Sequence, residues 1–330
     1  METHRMDTMN HPIARILGIT RRNDGMKPFV YPSAKYPLKD RISISFSGGK
    51  TSAYMTKMLL DHFRKHEPWR EISVVFANTG QEHEETLKFV ERCDREFGFG
   101  VVWLEANVNP QKGKSTGFKI VNFETASRKG EPFEEVIKKY GIPNKMYNHC
   151  TRETKLAPMI SYYNDLGWKH GEYSVAIGIR ADEIDRVSIK TMEKGGFYPC
   201  ADAGITKDDI REWWSRQSFN LNIPEHLSNC TWCWKKSLRK LMTLTQTHPE
   251  IFEFPRRMER EHGLSGGPRR DGGVKEPRIF FRESNSTETL FQKAALGFTP
   301  YEDDKFIPFD DELDVGGSCG ESCEIGADED

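Results

Sequence analysis

The chain has 330 residues, which is enough for a full hydrophobic core and for two domains. Hydrophobic residues make up 36% of it and the mean hydropathy is −0.68, so we expect a soluble protein without a membrane span. Residues 1–5 lead into no apolar segment, which predicts no signal peptide and a cytoplasmic location. In that compartment the seven cysteines favour thiols or metal ligands over disulfides.

The net charge of −2 combines two segments of opposite sign. Residues 234–282 contain twelve Lys or Arg and six Asp or Glu, a net charge of +6. Residues 301–330 contain one Lys and twelve Asp or Glu, a net charge of −11. The first segment is a candidate surface for an anion such as nucleic acid, although an ordinary charged surface explains it equally well. The second predicts a solvated, disordered tail.

The stretch from residue 42 to residue 60 predicts a strand, a glycine turn and a helix. This arrangement points backbone N–H groups and a helix N-terminus at an anion. Ile44 stands where a Walker A loop needs its first glycine, so that motif is excluded. A tight turn without a ligand is the alternative. The candidate phosphate ligands are Ser47, Gly48, Gly49, Lys50, Thr51 and Ser52.

Further strands are predicted at residues 72–77, 101–104 and 173–179, with helices between them. This alternation predicts an α/β fold with a parallel, twisted sheet, helices on both faces, and ligands at the carboxyl ends of the strands. Residues 107–130 are rich in Gly, Lys, Ser and Asn and predict a loop or flap. Cys93 lies at helical spacing among apolar residues, which predicts a buried side chain and not a ligand.

Four separated motifs carry a resemblance to a known family. They are Ser47-Gly48-Gly49-Lys50; Asn78-Thr79-Gly80 with Glu85-Thr86; Cys150-Thr151-Arg152 with Lys155 and Pro158; and Gly178-Ile179-Arg180 with Glu183 and Arg186. In this order they resemble the phosphoadenosine phosphosulfate (PAPS) reductase family of the adenine-nucleotide α-hydrolase, or PP-loop, superfamily. The similarity covers about residues 41–245. The Asp that precedes the last Ser of the family's SGGxDS pattern is absent here, and Asn78 replaces a more usual Asp.

The resemblance implies a PP-loop ATPase-like α/β fold that binds an adenine nucleotide. It places the phosphates on the turn at residues 47–52, with Lys50 and Ser52 among the ligands. It places the adenosine beside Asn78, Thr79 and Gly80. Arg180 and Arg186 would meet a phosphate or sulfate, and an ion-pair network with neighbouring acids is the alternative for these two arginines. We assign catalytic roles to Lys50, Lys155 and Arg180.

Cys230 and Cys233 form a CxxC pair, which is the usual half of a zinc or iron–sulfur site. With Cys150 and Cys200 they would complete a four-cysteine site. The resemblance favours a [4Fe–4S] cluster over zinc. The iron–sulfur members pair a Cys-Cys segment with a later CxxC, and here that segment reads His149-Cys150, so Cys200 or His149 would replace the missing thiolate. A cluster held by three cysteines, and thiols without a metal, are the other readings.

The resemblance leaves three functions open. In the first, ATP with Mg²⁺ is cleaved at the α-phosphate to activate an acceptor for sulfur transfer, and residues 234–282 would suit a nucleic-acid acceptor. In the second, the chain reduces PAPS or adenylylsulfate to sulfite with a thiol reductant protein, and Cys319 or Cys323 is the nucleophile. In the third, the chain is a non-catalytic nucleotide-binding module. An oligomer is compatible with all three.

These readings divide the chain into four parts. Residues 1–40 are predicted as an irregular arm and residues 41–225 as the adenine-nucleotide-binding α/β domain. Residues 226–283 are predicted as a basic helical region that contains the CxxC pair, and residues 284–330 as an acidic, disordered tail.

Overall fold

The computed structural model describes residues 22–111, 113–266, 276–282, 284–303, 305 and 307–314. Its centre is a six-stranded sheet in the order β4-β3-β2-β1-β5-β6, in which neighbours pair in parallel except for the antiparallel β3 and β4. The strands are β1 (Arg41–Ser45), β2 (Glu71–Ala77), β3 (Val101–Asn107), β4 (Gly117–Val121), β5 (Tyr173–Ala176) and β6 (Gly196–Phe197).

Helices cover the sheet and form the C-terminal region. They are α1 (Lys50–His66), α2 (Glu84–Phe97), α3 (Glu131–Tyr140), α4 (Ala157–Asp165), α5 (Ile189–Glu193), α6 (Pro199–Asp202), α7 (Lys207–Ser215), α8 (Leu238–Thr247), α9 (Glu253–His262), α10 (Thr287–Ala295) and α11 (Asp311–Asp314). The predicted α/β class and the helical C-terminal region are therefore confirmed. Within the described residues, no helix combines the length and the apolar character that a membrane crossing requires.

The central strand β1 is buried on both faces, as a strand of a parallel sheet should be. Ile42 and Ile44 lie in the larger apolar cluster and are fully buried. Ser43 points to the opposite face, where its hydroxyl lies 2.6 Å from the hydroxyl of Tyr163. This partner explains how a polar residue can occupy the middle of the sheet without an energetic penalty for unpaired burial.

The predicted loop at residues 107–130 is wrong in part, because residues 117–121 form the edge strand β4. Trp103 pairs with Val121 and Asn107 with Gly117 in the antiparallel register. Only one edge of β4 is hydrogen-bonded and Ile120 is largely exposed, so the strand lacks the apolar pattern of the buried strands. Its pairing partner, and not its own sequence, determines its conformation.

Two apolar clusters build the core. The first surrounds α1 and α7 and includes Met26 and Phe29 from the predicted irregular arm, so residues 26–29 pack on the domain. The predicted burial of Cys93 in this cluster is confirmed. The second cluster lies beyond β3, with the fully buried Trp232 ring stacked near Phe133 and Phe254. The CxxC region therefore has an apolar core of its own.

The predicted disordered tail is wrong for its first part. Residues 287–295 form α10, whose Leu290 and Ala294 are buried in the second cluster. Farther on, the buried guanidinium of Arg239 donates to Asp314 at 2.8 Å and to the carbonyl of Thr299 at 2.7 Å. These long-range contacts order a segment that composition alone marks as solvated. Residues 315–330, with Cys319 and Cys323, lie outside the described residues.

Candidate functional site

The direction of strand progression reverses at β1, because β2 and β3 lie on one side of it and β5 and β6 on the other. In open α/β sheets, ligands bind outside the carboxyl ends of the strands at such a switch point. The loop after β1 and the segment after β5 meet here. A Cβ atom on Gly178 would lie 3.4 Å from the Cα of Ser52, so the two chain segments are in direct contact.

The phosphate loop, residues 47–52, depends on one glycine in particular. Gly48 has φ of +80°, and a Cβ atom there would come within 2.8 Å of Thr86 and 3.2 Å of the Phe76 ring. An L-residue would therefore be strained and would also clash. The Ser47 and Ser52 hydroxyls lie 2.9 Å apart, and Ser52 Oγ donates to the Gly49 carbonyl at 3.0 Å. These bonds hold the loop in shape before a ligand arrives.

Helix α1 begins directly at this loop. Gly49 is its N-cap and, in the described part of the chain, no side chain caps the first turn. Free N–H groups at the start of a 17-residue helix bind anions well, because the helix dipole places partial positive charge there. Lys50 adds an ammonium group, and its carbonyl accepts a bond from Trp214 Nε1 at 3.0 Å. The first turn is thus fixed in place with its N–H groups toward the switch point.

Arg180 reaches the same turn from the segment after β5. Its side chain is almost fully buried, and Nη1 donates to Thr51 Oγ1 at 3.3 Å. It also bonds to Asp182 at 3.0 Å and lies 3.5 Å from Glu183. Burial favours protonation of Asp182, but the Arg180 guanidinium outweighs it and holds the pKa of that carboxyl below its usual range.

Arg186 belongs to the same ion-pair network. Its Nη1 lies 2.6 Å from Glu183 Oε1, so Glu183 bridges the two arginines that the sequence predicts as anion ligands. The structure thus shows the ion-pair network with neighbouring acids that is the alternative interpretation of these two arginines. A ligand phosphate here would have to share or displace these carboxylates. Arg180 contacts the phosphate loop directly, and it is the stronger candidate of the two.

The turn after β2 is held by a buried carboxylate. Asn78 is fully buried, and its Nδ2 donates to Glu105 Oε1 at 2.7 Å and to the Ser127 carbonyl at 2.9 Å. Its Oδ1 accepts from Gly80 N at 3.2 Å. An aspartate at this position would bring a second carboxylate against Glu105, so the family's more usual Asp does not fit here. The amide side chain of Asn78 shapes the turn.

Glu82 is a site residue that the sequence reasoning missed. Its nearly buried carboxylate accepts from the Thr79 N–H at 2.9 Å and from the Thr79 hydroxyl at 2.9 Å. The ammonium of Lys155 lies 3.9 Å away. Thr79 Oγ1 is also 3.5 Å from Cys230 Sγ. The sequence signal for Glu82 was an acid just beyond the Asn78-Thr79-Gly80 turn. That signal is weak, because the role of Glu82 depends on partners that are distant in sequence.

Lys155 lies in an unusual helical turn. Residues 152–156 form a π-helix, in which Ala157 N bonds to the carbonyl of Arg152, and this turn leads into α4. Single π-turns are rare and often occur at functional sites. Glu153 and Lys155 are both buried, and Glu153 bonds to Thr116 and to Arg152 Nε at 2.8 Å. The π-turn thus places Lys155 beside Glu82.

The CxxC loop, residues 230–236, is held by a buried ammonium group. Lys236 Nζ donates to the carbonyls of Ser228 at 3.1 Å, Cys230 at 2.7 Å and Thr231 at 2.7 Å. The loop is joined to the turn after β2 because Thr231 N bonds to the Gln81 carbonyl at 3.0 Å. Three backbone acceptors facing one ammonium group make this loop a stable unit.

The four predicted metal ligands do not form a ready-made site. Cys230 and Cys233 share the CxxC loop, and Cys150 is half-buried beside the second apolar cluster. Cys200 is fully buried in the first cluster instead. Among residues 22–314 that the structure describes, no group of three or more His, Cys, Asp or Glu is arranged to hold a metal ion. A four-thiolate cluster therefore does not fit this arrangement.

His149, the other predicted substitute ligand, bonds to the chain. Its Nε2 lies 3.1 Å from the Gly141 carbonyl, and its ring packs near Tyr140. Burial lowers the pKa of His149 to about 4, so the imidazole is neutral at physiological pH. The Gly141 carbonyl contact accounts for its orientation without a metal.

The strand order and the glycine loop at the switch point define an open, mostly parallel α/β protein. The model of the phosphoadenosine phosphosulfate reductase domain matches residues 41–194. The uncharacterised nin region protein ORF290 of Escherichia phage lambda is 32% identical over 290 residues, which cover 86% of this chain and 94% of that protein. The chain therefore belongs to the phosphoadenosine phosphosulfate reductase domain family.

Other similarities are more distant. The uncharacterised protein MJ0066 of Methanocaldococcus jannaschii is 31% identical over 128 residues, which cover 39% of this chain and 21% of that protein. Among solved structures, PAPS reductase from Candida auris aligns with 17% identity and a TM-score of 0.31, covering 53% of this chain and 71% of that one. The U34-tRNA thiolase NcsA from Methanococcus maripaludis aligns with 14% identity and a TM-score of 0.32, covering 69% of each chain.

Proposed function

We propose that the chain binds an adenine nucleotide, ATP, and cleaves it at the α-phosphate to activate an acceptor for sulfur transfer. One observation carries the proposal: the uncapped start of α1 and the guanidinium of Arg180 meet at the switch point of the sheet. There the loop N–H groups, Lys50 and Arg180 would hold the phosphates. Asn78, Thr79 and Gly80 line the neighbouring strand end and would lie beside the adenosine.

The reaction needs negative charge to be stabilised on the leaving group. An acceptor oxygen would form a bond to the α-phosphorus while the bond from that phosphorus to the bridging oxygen breaks, and pyrophosphate leaves with the electron pair. The positive end of the α1 dipole and the Lys50 ammonium would stabilise that charge in a site that is already shaped. Mg²⁺ would neutralise further charge when bound. Lys155, paired with Glu82, would act at the acceptor side of the site.

Pyrophosphate release from ATP–Mg²⁺ tests this function. We expect release by the full chain and a loss of about 100-fold in Lys50→Ala, because one charged contact to the leaving group is typically worth 2.7–4 kcal/mol. Lys65→Ala is the matched control, since Lys65 is an exposed lysine in the last turn of the same helix. An equal loss in both variants, or no pyrophosphate with any acceptor, would contradict the proposal.

A reductase is the second candidate, favoured by the name of the family model that matches residues 41–194. A reductase would form sulfite from PAPS or adenylylsulfate with a thiol reductant protein, and Cys319 or Cys323 would attack the sulfur. Sulfite production that disappears in Cys319→Ser or Cys323→Ser would support this activity. Pyrophosphate without sulfite would exclude it as the main reaction, and nucleotide binding with neither product would leave a binding module.

The [4Fe–4S] cluster and the zinc ion stay sequence predictions. A four-cysteine site would need Cys200, which lies in the first apolar cluster, so the proposed reaction includes no step on a metal cluster. Iron, sulfide and zinc analysis of protein purified without oxygen tests both. Stoichiometric iron that is lost in Cys230→Ser and kept in Cys200→Ser would support a three-cysteine cluster, because Cys200 lies in the other apolar cluster.

A further inference from the structure

A cleft of about 540 Å³ opens beside the CxxC loop. One wall is the start of α9 and the residues before it, and the other is the loop at residues 128–130. Gly130 makes this close approach feasible, because its φ is +82° and a Cβ atom there would collide with the ring of Phe254. The inner end of the cleft is formed by Gly80, Gln81 and Thr231, which belong to the candidate site.

The side chains that line the cleft include more cations than acids. Its lining acids are Glu82, Glu250 and Glu253, and Glu82 is buried against Lys155, so two acids face the open cleft against five cations. Arg256 and Arg260 are one turn apart on α9, about 6 Å along the helix axis. The cationic side chains that line it are Arg128, Lys129, Arg256, Arg257 and Arg260.

All four arginines have carboxylate partners outside the lining. The Arg257–Glu134 pair, at 2.7 Å with exposures of 36% and 18%, is the least exposed, and the other three pairs are at the surface. Arg256 bonds to Glu288 at 2.6 Å, with side-chain exposures of 32% and 62%, and Arg260 bonds to Glu261 at 2.9 Å, with exposures of 68% and 40%. Arg128 bonds to Glu84 at 2.7 Å, with exposures of 33% and 43%. Exposed pairs of this kind contribute little to stability because water and salt screen them. A ligand can therefore replace the carboxylates at little cost.

We propose that this arginine cleft, formed by residues 128–130 and 253–260, binds the phosphate backbone of a nucleic acid. That this nucleic acid is also the acceptor of the reaction rests on the proposed function. Four of the five cations are arginines, whose planar guanidinium groups bind phosphate oxygens in pairs. An acidic peptide would only exchange one carboxylate for another, whereas a nucleic acid also gains free energy by releasing its condensed counterions.

The position of the cleft determines where a bound nucleic-acid strand would lead. A strand that follows the arginines inward reaches Gly80 and Thr231, and beyond them the contact between Thr79 Oγ1 and Cys230 Sγ. The buried Lys155 lies 3.9 Å from Glu82, which lines the cleft. A nucleotide unit at the inner end of the cleft would therefore lie next to the groups that the proposed function assigns to the acceptor side.

Fluorescence anisotropy with labelled single-stranded RNA and DNA of about 15 nucleotides tests the cleft without any turnover. We expect binding that weakens steeply between about 50 and 200 mM salt. Arg256→Gln and Arg128→Gln should each weaken binding several-fold and reduce the salt slope by about 1. Comparing RNA with DNA identifies the kind of strand. Because no nucleotide turnover is needed, these results are independent of the pyrophosphate assay.

Arg95→Gln is the matched control, because Arg95 is an exposed arginine of α2 that is also paired with a glutamate and lies outside the cleft. Equal weakening by Arg95→Gln would mean a general charge effect and would overturn the proposal. So would the absence of binding at about 50 mM salt, or binding that does not weaken between about 50 and 200 mM salt. Competition by poly-glutamate as strong as that by unlabelled RNA would instead assign the cleft to acidic protein segments and would also overturn it.

Discussion

The phosphate loop follows β1 and the CxxC loop is bonded to the turn after the neighbouring strand β2, yet the two loops satisfy their backbone polar groups in opposite ways. At the phosphate loop, the first N–H groups of α1 have no side-chain cap in the described part of the chain. At the CxxC loop, Lys236 alone bonds to three carbonyls, and Thr231 is bonded to the neighbouring turn. The first loop keeps hydrogen-bonding capacity for a ligand, and the second uses its capacity within the protein.

This difference separates binding from stability. Substitutions in the phosphate loop should mainly reduce nucleotide affinity, because the groups they disturb face the switch point. Substitutions in the CxxC loop should mainly reduce the free energy of unfolding, because buried acceptors would lose their donor. The following experiments measure stability, nucleotide binding or turnover, and they can show where the distinction fails.

Lys236→Met should have the largest effect. Methionine keeps most of the volume but removes the donor of three carbonyls, so we expect the free energy of unfolding to fall by about 3 kcal/mol. Nucleotide affinity of the folded fraction should change little. Urea unfolding measures the first quantity and isothermal calorimetry the second. Lys235→Met is the control, because Lys235 is the half-buried neighbour. An equal loss of stability in that variant would show that the three bonds of Lys236 have no special role.

Gly48→Ala should weaken nucleotide binding by about 30-fold, which corresponds to about 2 kcal/mol. The Cβ atom would be strained at a φ of +80° and would press on Thr86. Gly98→Ala is the control, because Gly98 also has a positive φ, +62°, but nothing lies within 4 Å of its Cβ position. Both variants introduce backbone strain at a positive φ. Weaker nucleotide binding in Gly48→Ala alone would show that the conformation of the phosphate loop determines the affinity.

Glu82→Gln should have mixed effects, since Glu82 bonds to Thr79 in the turn after β2 and pairs with Cys230 of the CxxC loop in a β-bridge. The amide keeps the size of the side chain but loses the negative charge that faces Lys155, and we expect a loss of stability of about 1–2 kcal/mol. Pyrophosphate release should fall as well. Glu84→Gln is the control, because Glu84 is an exposed acid two residues later that pairs with Arg128. Unchanged turnover in Glu82→Gln would show that Glu82 is structural only.

His149 should cause the smallest effect, a loss of stability in acid. Burial lowers its pKa to about 4 from the usual value of 6.5, so the unfolded chain binds the proton more readily. Its contribution is complete above about pH 6.5 and is lost as the pH falls toward 4. After allowance for partial exposure we expect a difference of about 1 kcal/mol between His149→Asn and the unmodified chain over this range. The same difference in the free energy of unfolding between the two proteins at pH 7 and at pH 4.5 would contradict this prediction.

The sequence predicts the phosphate loop well because its information is local. A β-prone run, two glycines and an amphipathic helix follow one another within nineteen residues, from Ile42 to Leu60. Arg180 could be placed near it because the ends of parallel strands share one edge of the sheet. Glu105 could not be predicted, since a buried carboxylate that fixes Asn78 is visible only when β2 and β3 are paired.

The cysteines show the opposite case. Spacing identifies Cys230 and Cys233 as a pair, but no local signal says which other thiols come near them. Cys200 follows a proline in a short helix and packs into the first apolar cluster. The ordering of the C-terminal segment could not be predicted either, because Asp314 pairs with Arg239, which is 75 residues away in sequence.

The two apolar clusters also set an order of events during synthesis. Buried members of the first cluster extend from Met26 to Leu221, whereas the second needs Leu290 and Ala294 and is completed by Leu313. Nascent chains fold from the N-terminus as they emerge. The sheet and the first cluster can therefore form while the residues after Leu221 are still being synthesised. The surroundings of the CxxC loop, by contrast, are complete only after Leu313 has been synthesised.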